Sequence, residues 1–71
     1  MSAKADQIEA YIGMFCRQWG YGPTLQEIAK DCGMSSTSVV AYHLQQLRHE
    51  GRVSWQPGRA RTLRVAREVT A

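Results

Sequence analysis

The sequence of 71 residues predicts a mainly α domain with a small β-hairpin at its end, three helices followed by a two-stranded wing. Apolar residues recur with helical periodicity in three stretches before Gly51. After Gly51 the periodicity changes to two, with a turn sequence in the middle. We therefore assign residues 1–66 to one winged helix-turn-helix domain. Residues 67–71 show no pattern and are expected to form a short flexible tail.

The first helix is predicted to begin with a cap at Ser2 and to end near Trp19. Gly13 costs this helix roughly 1 kcal/mol relative to alanine, and it either allows the close approach of another helix or has no role. The segment GYGP at residues 20–23 breaks the helix. One apolar stripe is expected to be core, packed across the two later helices: Ile8, Tyr11 or Ile12, Phe15 and Trp19.

The second helix begins with a strong capping signal. Thr24 is followed three residues later by Glu27, which makes the T-x-x-E capping box, and Pro23 keeps the incoming chain extended. Gly33 ends the helix, because glycine adopts the left-handed conformation after a helix without steric cost. Four residues at helical spacing predict one buried face: Leu25, Ile28, Ala29 and Cys32.

The third helix follows after a short turn, and either Ser35 or Ser36 can cap it. It ends at Gly51. Its inner face carries Val40, Leu44 and Leu47, and its outer face carries Ser38, Ala41, Tyr42, Gln45 and His49. Two helices joined by a glycine turn form a helix-turn-helix pattern, and short or planar side chains on the outer face suit a DNA groove. The alternative is a helical hairpin whose polar face only meets water.

The hairpin is predicted from alternation on both sides of a turn. Val53 and Trp55 alternate with polar residues over 52–56, and Leu63 and Val65 do so over 62–66. The turn at residues 57–60 places Arg59 and Arg61 at its tip. Because an isolated hairpin is marginal in water, its apolar face must pack on the helices.

Charge and composition favour a nucleic-acid partner. Residues 1–47 carry three basic and four acidic side chains, a net charge of −1, whereas residues 48–71 carry six arginines against two glutamates, a net charge of +4. Arginine binds phosphate and guanine well and enters narrow minor grooves. The alternative is a solvated basic tail.

Several classes of protein and site are disfavoured. No run is long and apolar enough to cross a membrane, and the absence of a secretory leader predicts a cytoplasmic protein. Cys16 and Cys32 fall on predicted buried faces and are expected to be small core residues, without a paired C-x-x-C for zinc. We expect no metal, no cofactor and no enzymatic activity, because no Ser/Lys dyad, carboxylate pair or phosphate loop is assembled.

Specific motifs make the chain similar to the N-terminal DNA-binding domain of LexA-type repressors. These are G-x-x-P-T at residues 20–24, E-I-A at 27–29, G-M-x-S at 33–36, H-L-x-x-L at 43–47, Gly51 and the basic wing. The resemblance covers residues 2–65. It implies a third helix in the major groove and a wing on the DNA backbone or minor groove. The reading residues would be Ser36, Ser38, Val39, Ala41 and Tyr42, and the wing contacts Arg59 and Arg61.

Helix geometry adds three candidate contacts to those that the resemblance implies. Ser35 and Gln45 should face phosphate or the edge of the groove. The capped end of the second helix at Thr24 can donate backbone N–H groups to phosphate. His43 matches the family and is expected to form a structural hydrogen bond.

The chain also departs from the family. The LexA reading helix carries an asparagine and two glutamates where this sequence has Ser38, Ala41 and Tyr42, so we expect a different operator. The family's second domain, with its serine–lysine self-cleavage site and main dimer contacts, is not recognisable here. A monomer would bind weakly, and a second copy at a paired half-site or a partner protein would strengthen binding.

The resulting hypothesis is a sequence-specific, repressor-like regulator of bacterial or phage origin that binds double-stranded DNA. The alternative is a protein-interaction winged helix, which would dock a polymerase subunit or a larger repressor through Val39, Ala41 and Tyr42. The first hypothesis takes the chain as a small, stand-alone regulator, and a third possibility is that it is a domain of a longer repressor.

Overall fold

The computed structural model describes residues 3–66. It contains the helices α1 (Ala3–Trp19), α2 (Leu25–Asp31) and α3 (Thr37–His49), followed by the strands β1 (Val53–Ser54) and β2 (Arg64–Val65). The strands are antiparallel, with Val53 opposite Val65 and Ser54 opposite Arg64. Three helices and a two-stranded hairpin confirm the predicted fold class. The predicted cap at Ser2 and the predicted tail at residues 67–71 lie outside the described residues.

The hydrophobic core lies where the three helices and the wing meet. Its α3 members are the three residues predicted for the inner face, Val40, Leu44 and Leu47, and all three are buried. From α1, Ile12 rather than Tyr11 enters the core. The remaining buried apolar residues are Ala5, Ile8, Ile28, Cys32, Val53 and Leu63.

Two residues predicted for the core are exposed instead. Trp19 is 53 % exposed and Leu25 is 39 % exposed. Each occupies a terminal position, since Trp19 is the last residue of α1 and Leu25 is the first residue of α2. The buried stripe of α1 is correspondingly displaced by a turn toward its amino end, where it begins at Ala5.

Aromatic residues of α1 form a partly exposed ladder beside the core. The Phe15 ring packs at tilted or edge-on angles against Tyr11, Trp19 and, just after α1, Tyr21, with ring centroids 5.8, 6.2 and 5.9 Å apart. Tyr11 also donates a hydrogen bond of 2.6 Å to the carboxylate of Asp31 in α2. Burial and this hydrogen bond raise the pKa of Tyr11. The ladder covers part of α1 without entering the centre of the core.

The predicted caps are present at both helices of the helix-turn-helix. The Glu27 N–H donates to Thr24 Oγ1 at 3.1 Å, and the Thr24 N–H donates to Glu27 Oε1 at 2.9 Å, which completes the capping box. Of the two serines that could cap α3, Ser36 does so, because its Oγ accepts from the Val39 N–H at 3.4 Å. Gly33 has φ +71°, as expected at the end of α2.

The wing has less regular pairing than its alternation predicts. Only two residue pairs form the ladder, whereas the period-two pattern covers five residues on each side. The Gln56 N–H donates to the hydroxyl of Thr62 at 2.9 Å, which replaces the next backbone bond of the ladder. The wing is therefore a short ladder that carries a long loop, and that loop packs against the helices.

An ion-pair network joins the base of the wing to α1. Arg52 donates to Glu9 Oε1 from Nε at 2.9 Å, to Asp6 at 2.6 Å and to Glu50 at 3.1 Å. These three carboxylates hold the guanidinium, and the hydrogen bonds raise the pKa of Arg52. One of the six arginines after residue 47 is thereby paired with carboxylates of the domain itself.

We expect Gly13→Ala to stabilise the domain by about 0.5–1 kcal/mol, because glycine in a helix interior is entropically costly. A β-carbon at this position would lie 3.5 Å from the Val65 side chain, an ordinary van der Waals distance. The close approach is thus made by β2 and not by another helix. Urea denaturation of both proteins measures the difference, and a destabilised variant would show that β2 packs too tightly for a methyl group.

Candidate nucleic-acid interface

The predicted reading face of α3 points to solvent. Ser38, Tyr42 and Gln45 are exposed, and Val39 and Ala41 are partly exposed. Both serines of the preceding turn, Ser35 and Ser36, are exposed as well. The first turn of α3 contains no acidic residue, so no negative side chain of that turn compensates the positive end of its helix dipole. Such a surface can approach a phosphate backbone and base edges.

Tyr42 is the most exposed large apolar side chain among residues 3–66, at 62 %. Its ring packs edge-on against His43, with ring centroids 5.5 Å apart. The predicted structural hydrogen bond of His43 is wrong, because in residues 3–66 its side chain makes this ring contact and no hydrogen bond. The histidine instead supports one side of the Tyr42 ring.

A groove of about 410 Å³ connects α2, α3 and the wing. Thr24 and Leu25 line it at the beginning of α2, Ala41 and Gln45 on α3, and Arg59 and Arg61 on the wing. The fold therefore brings together predicted contact residues from three separate segments of the chain. Its lining combines apolar side chains such as Leu44, Trp55 and Leu63 with the two arginines, which suits a groove beside an anionic backbone.

Thr24 lies on this groove, but its own N–H is not available to a ligand. It is donated to the carboxylate of Glu27, and the N–H of Glu27 is donated back to the Thr24 hydroxyl. A phosphate at this end of α2 would meet the N–H groups of Leu25 and Gln26 instead. The prediction that the capped end of α2 donates to phosphate thus concerns these two N–H groups, and it stays a prediction.

The arginines of the second half of the chain have very different surroundings. The guanidinium of Arg48 lies 4.4 Å from the centroid of the Trp55 ring, and Arg52 is held by three carboxylates. Arg64 lines a second hollow with Cys16 and Tyr21, on the α1 side of the wing. Within residues 3–66, the side chains of Arg59 and Arg64 form no hydrogen bond or ion pair. Arg59 is the one of these two that lines the groove with α3.

Arg61 is engaged with the body of the domain. Its guanidinium donates to both carboxylate oxygens of Glu27, at 3.0 and 3.3 Å. It also donates to the Gly22 carbonyl at 3.3 Å and lies 4.9 Å from the centroid of the Tyr21 ring. Sequence reasoning placed this residue with Arg59 at the wing tip, but within residues 3–66 only the Arg61 side chain of this pair is bound to other side chains and backbone.

The Glu27 carboxylate is the electrostatic centre of this contact. Hydrogen bonds from Arg61 and from the Thr24 N–H hold its pKa below the ordinary value of a glutamate. Because the folded-state pKa is the lower one, the carboxylate stabilises the folded chain above its unfolded-state pKa. That contribution is lost as the pH falls through the folded-state value.

Sequence reasoning missed the role of Gly22. Its N–H donates to the Arg61 carbonyl at 3.1 Å, and a β-carbon there would lie 2.1 Å from the Leu63 carbonyl oxygen. Cys16 adds a contact nearby, since its thiol donates to the same Leu63 oxygen at 3.4 Å, and burial raises the pKa of this thiol. The second glycine of the GYGP segment was the available signal, read there only as a helix breaker.

The described residues were compared with the requirements of a metal site and of a membrane-spanning helix. Over residues 3–66 there is no cluster of three or more histidine, cysteine or acidic side chains that could hold a metal ion. In the same part of the chain, no helix combines the length and apolar character needed to span a membrane.

The architecture agrees with a comparison to known families. A family model for the LexA DNA binding domain matches residues 2–62. The chain belongs to this family. The matched range includes all three helices, β1 and the tip of the wing, whereas β2 lies just beyond it.

LexA repressors of several bacteria are similar to this LexA domain. That of Herpetosiphon aurantiacus is 40% identical over 53 residues, which cover 75% of this chain and 25% of the repressor. That of Clostridium botulinum is 32% identical over 62 residues, 87% of this chain and 31% of the repressor. That of Carboxydothermus hydrogenoformans is 32% identical over 68 residues, which cover 96% of this chain and 33% of the repressor. The chain thus spans a quarter to a third of the length of these relatives.

Proposed function

We propose that this LexA DNA-binding domain binds double-stranded DNA in a sequence-dependent manner and acts as a transcriptional repressor. In this proposal α3 enters the major groove and reads bases with Ser36, Ser38, Val39, Ala41 and Tyr42. Ser35 and Gln45 contact phosphate or the groove edge, and Arg59 contacts the backbone or minor groove. The domain works in the cytoplasm of a bacterium, where the DNA is, and its activity is binding and not catalysis.

One observation carries the proposal. The exposed face of α3, whose first turn lacks acidic residues, borders a groove that is also lined by the amino end of α2 and by Arg59. A DNA strand following this groove would meet small side chains at the base edges and a cation beside its phosphates. The similarity to LexA repressors supports the same partner.

The weak binding expected of a single domain favours more than one copy on the DNA. A single domain with one reading helix and one wing offers few phosphate contacts, so a monomer should bind weakly. We propose that two copies bind paired half-sites, whose centres would lie one helical turn or a multiple of it apart. A partner protein that links two domains would have the same effect.

The proposal is tested by selecting binders from a randomised duplex DNA pool at two salt concentrations and sequencing the retained fraction. We expect one enriched motif, or two at fixed spacing. Arg59→Ala should lower the slope of log affinity against log salt by about 0.9, the value for one lost phosphate contact. Ser38→Ala and Tyr42→Ala should change the preferred bases more than the salt slope. Retention without enrichment would contradict sequence-dependent binding.

The exposure of Tyr42 favours one alternative, a protein-interaction surface. A ring that is 62 % exposed, beside partly exposed Val39 and Ala41, could dock onto a polymerase subunit or a larger repressor. A complex with such a protein that survives salt concentrations abolishing DNA binding would favour this alternative. Absence of DNA retention at low salt would do so as well.

A further inference from the structure

Arg61 joins the loop of the wing to the beginning of α2. Its two Nη groups donate to the two oxygens of Glu27, and Nη1 also donates to the Gly22 carbonyl. We call the three residues Gly22, Glu27 and Arg61 the wing latch. A bidentate arginine–carboxylate contact fixes both the distance and the orientation of the two groups.

The backbone of the wing latch is held as firmly as its side chains. The Gly22 N–H donates to the Arg61 carbonyl, so these two residues exchange a hydrogen bond in each direction. Arg61 has φ 60°, in the left-handed region that residues with a side chain rarely adopt. Contacts on several sides of the residue are the ordinary reason for such a conformation to persist.

Arg59 is carried by the same loop. Its N–H donates to the Gln56 carbonyl at 3.1 Å, and its own carbonyl accepts from the Thr62 hydroxyl at 3.1 Å. These bonds set the shape of the loop, but they do not attach it to the helices. The attachment closest in the chain to Arg59 is the wing latch, two residues further on.

We propose that Arg61 is a positioning residue, which fixes the wing on α2 so that Arg59 faces the DNA, and that Arg61 is not itself a phosphate contact. The inference rests on the proposed function. It departs from the role that family resemblance implied for Arg61. In this proposal Glu27 has two roles, because its carboxylate caps α2 and also accepts the hydrogen bonds from Arg61 of the wing.

The direction in which one substitution changes the affinity for DNA distinguishes a positioning residue from a direct phosphate contact. Glu27→Gln keeps the capping box, since glutamine also accepts the Thr24 N–H, but it removes the charge that holds Arg61. If Arg61 bound phosphate, freeing it and deleting a nearby negative charge would tighten DNA binding. If Arg61 positions the wing, the substitution should weaken binding to the selected duplex by about fivefold to tenfold and lower the salt slope by about 1.

Substitutions of Arg61 itself complete the set. Arg61→Lys keeps the charge but lacks the planar fork, so a positioning role predicts the affinity of Arg61→Ala and a phosphate contact predicts nearly wild-type affinity. In the Arg61→Ala background, Glu27→Gln should no longer weaken binding, and Arg59→Ala should add little further loss. Strict additivity of Arg59→Ala and Arg61→Ala would indicate two independent phosphate contacts and would overturn the proposal.

A measurement without DNA tests the latch directly. Amide hydrogen exchange of Gly22, whose N–H donates into the wing, should accelerate about tenfold in Glu27→Gln, while a core amide of α1 such as that of Ile12 should not change. An unchanged Gly22 rate overturns the positioning role alone. A wild-type chain that binds no duplex at low salt overturns the proposed function, and with it the role of Arg61 in DNA binding, even if the exchange result is positive.

Discussion

Replacing Gly22 by alanine should remove most of the stability of the domain. The new β-carbon would lie 2.1 Å from the Leu63 carbonyl oxygen and close to the Leu63 backbone nitrogen, at 2.9 Å. Backbone atoms cannot turn aside as a flexible side chain can, so the wing loop must move away and the Gly22–Arg61 hydrogen bonds must break. We expect a loss of about 3 kcal/mol, against a total of roughly 3–5 kcal/mol for a chain of this size.

Thermal unfolding followed by circular dichroism measures this effect, and the melting temperature should fall by more than about 10 °C. Gly13→Ala is the matched control, because it adds the same methyl group to the same protein at a position where the nearest atom belongs to a side chain at 3.5 Å. Gly22→Ala with a melting temperature within two or three degrees of wild type, on the order of 0.5 kcal/mol, would mean that the loop does not rest on Gly22.

The local part of this structure could be predicted from the sequence because its signals are local. The capping box of Thr24 and Glu27 acts within one turn of helix, and Gly33 ends α2 with its own backbone. The inner face of α3 follows from a 3.6-residue period alone. Periodicity fails at helix ends, where Trp19 and Leu25 keep the pattern but remain largely exposed.

The wing latch could not be predicted, because it joins residues that are distant in the chain. Glu27 and Arg61 are 34 residues apart, and Gly22 and Arg61 are 39 apart. From the sequence, Glu27 is recognised as part of a helix cap, Gly22 as a glycine in a helix break and Arg61 as a basic residue of the wing. Nothing in their spacing indicates that they meet, because the meeting depends on how the wing folds back.

Counting charges in the sequence overstated the basic surface for the same reason. The six arginines after residue 47 were read as one cationic region. In the structure Arg52 meets three carboxylates, two of them from α1, and Arg61 meets one from α2. Of the two arginines near the wing tip, Arg59 forms no ion pair within residues 3–66, so its guanidinium is available to an anionic ligand. Pairing between distant segments thus selects which charges remain available.

Ser38→Glu should abolish measurable binding to duplex DNA while leaving the fold slightly more stable. Ser38 is the second residue of α3, at the positive end of the helix dipole, where a carboxylate stabilises a helix by about 0.3–1 kcal/mol. On the proposed reading face the same carboxylate would lie against base edges and phosphates. Like-charge juxtaposition of this kind costs several kcal/mol, so we expect affinity to fall by about 100-fold or more.

Two controls separate charge, size and position. Ser38→Gln adds a side chain of the same shape without the charge, and it should change base preference with a smaller loss of affinity. Gln7→Glu makes the same change in net charge at an exposed position of α1, away from the groove, and should reduce affinity only about twofold to threefold, at low salt. Fluorescence anisotropy with a labelled duplex from the selection measures all three proteins. If Ser38→Glu binds as well as Ser38→Gln, the amino end of α3 does not face the DNA, and the reading face must be reassigned.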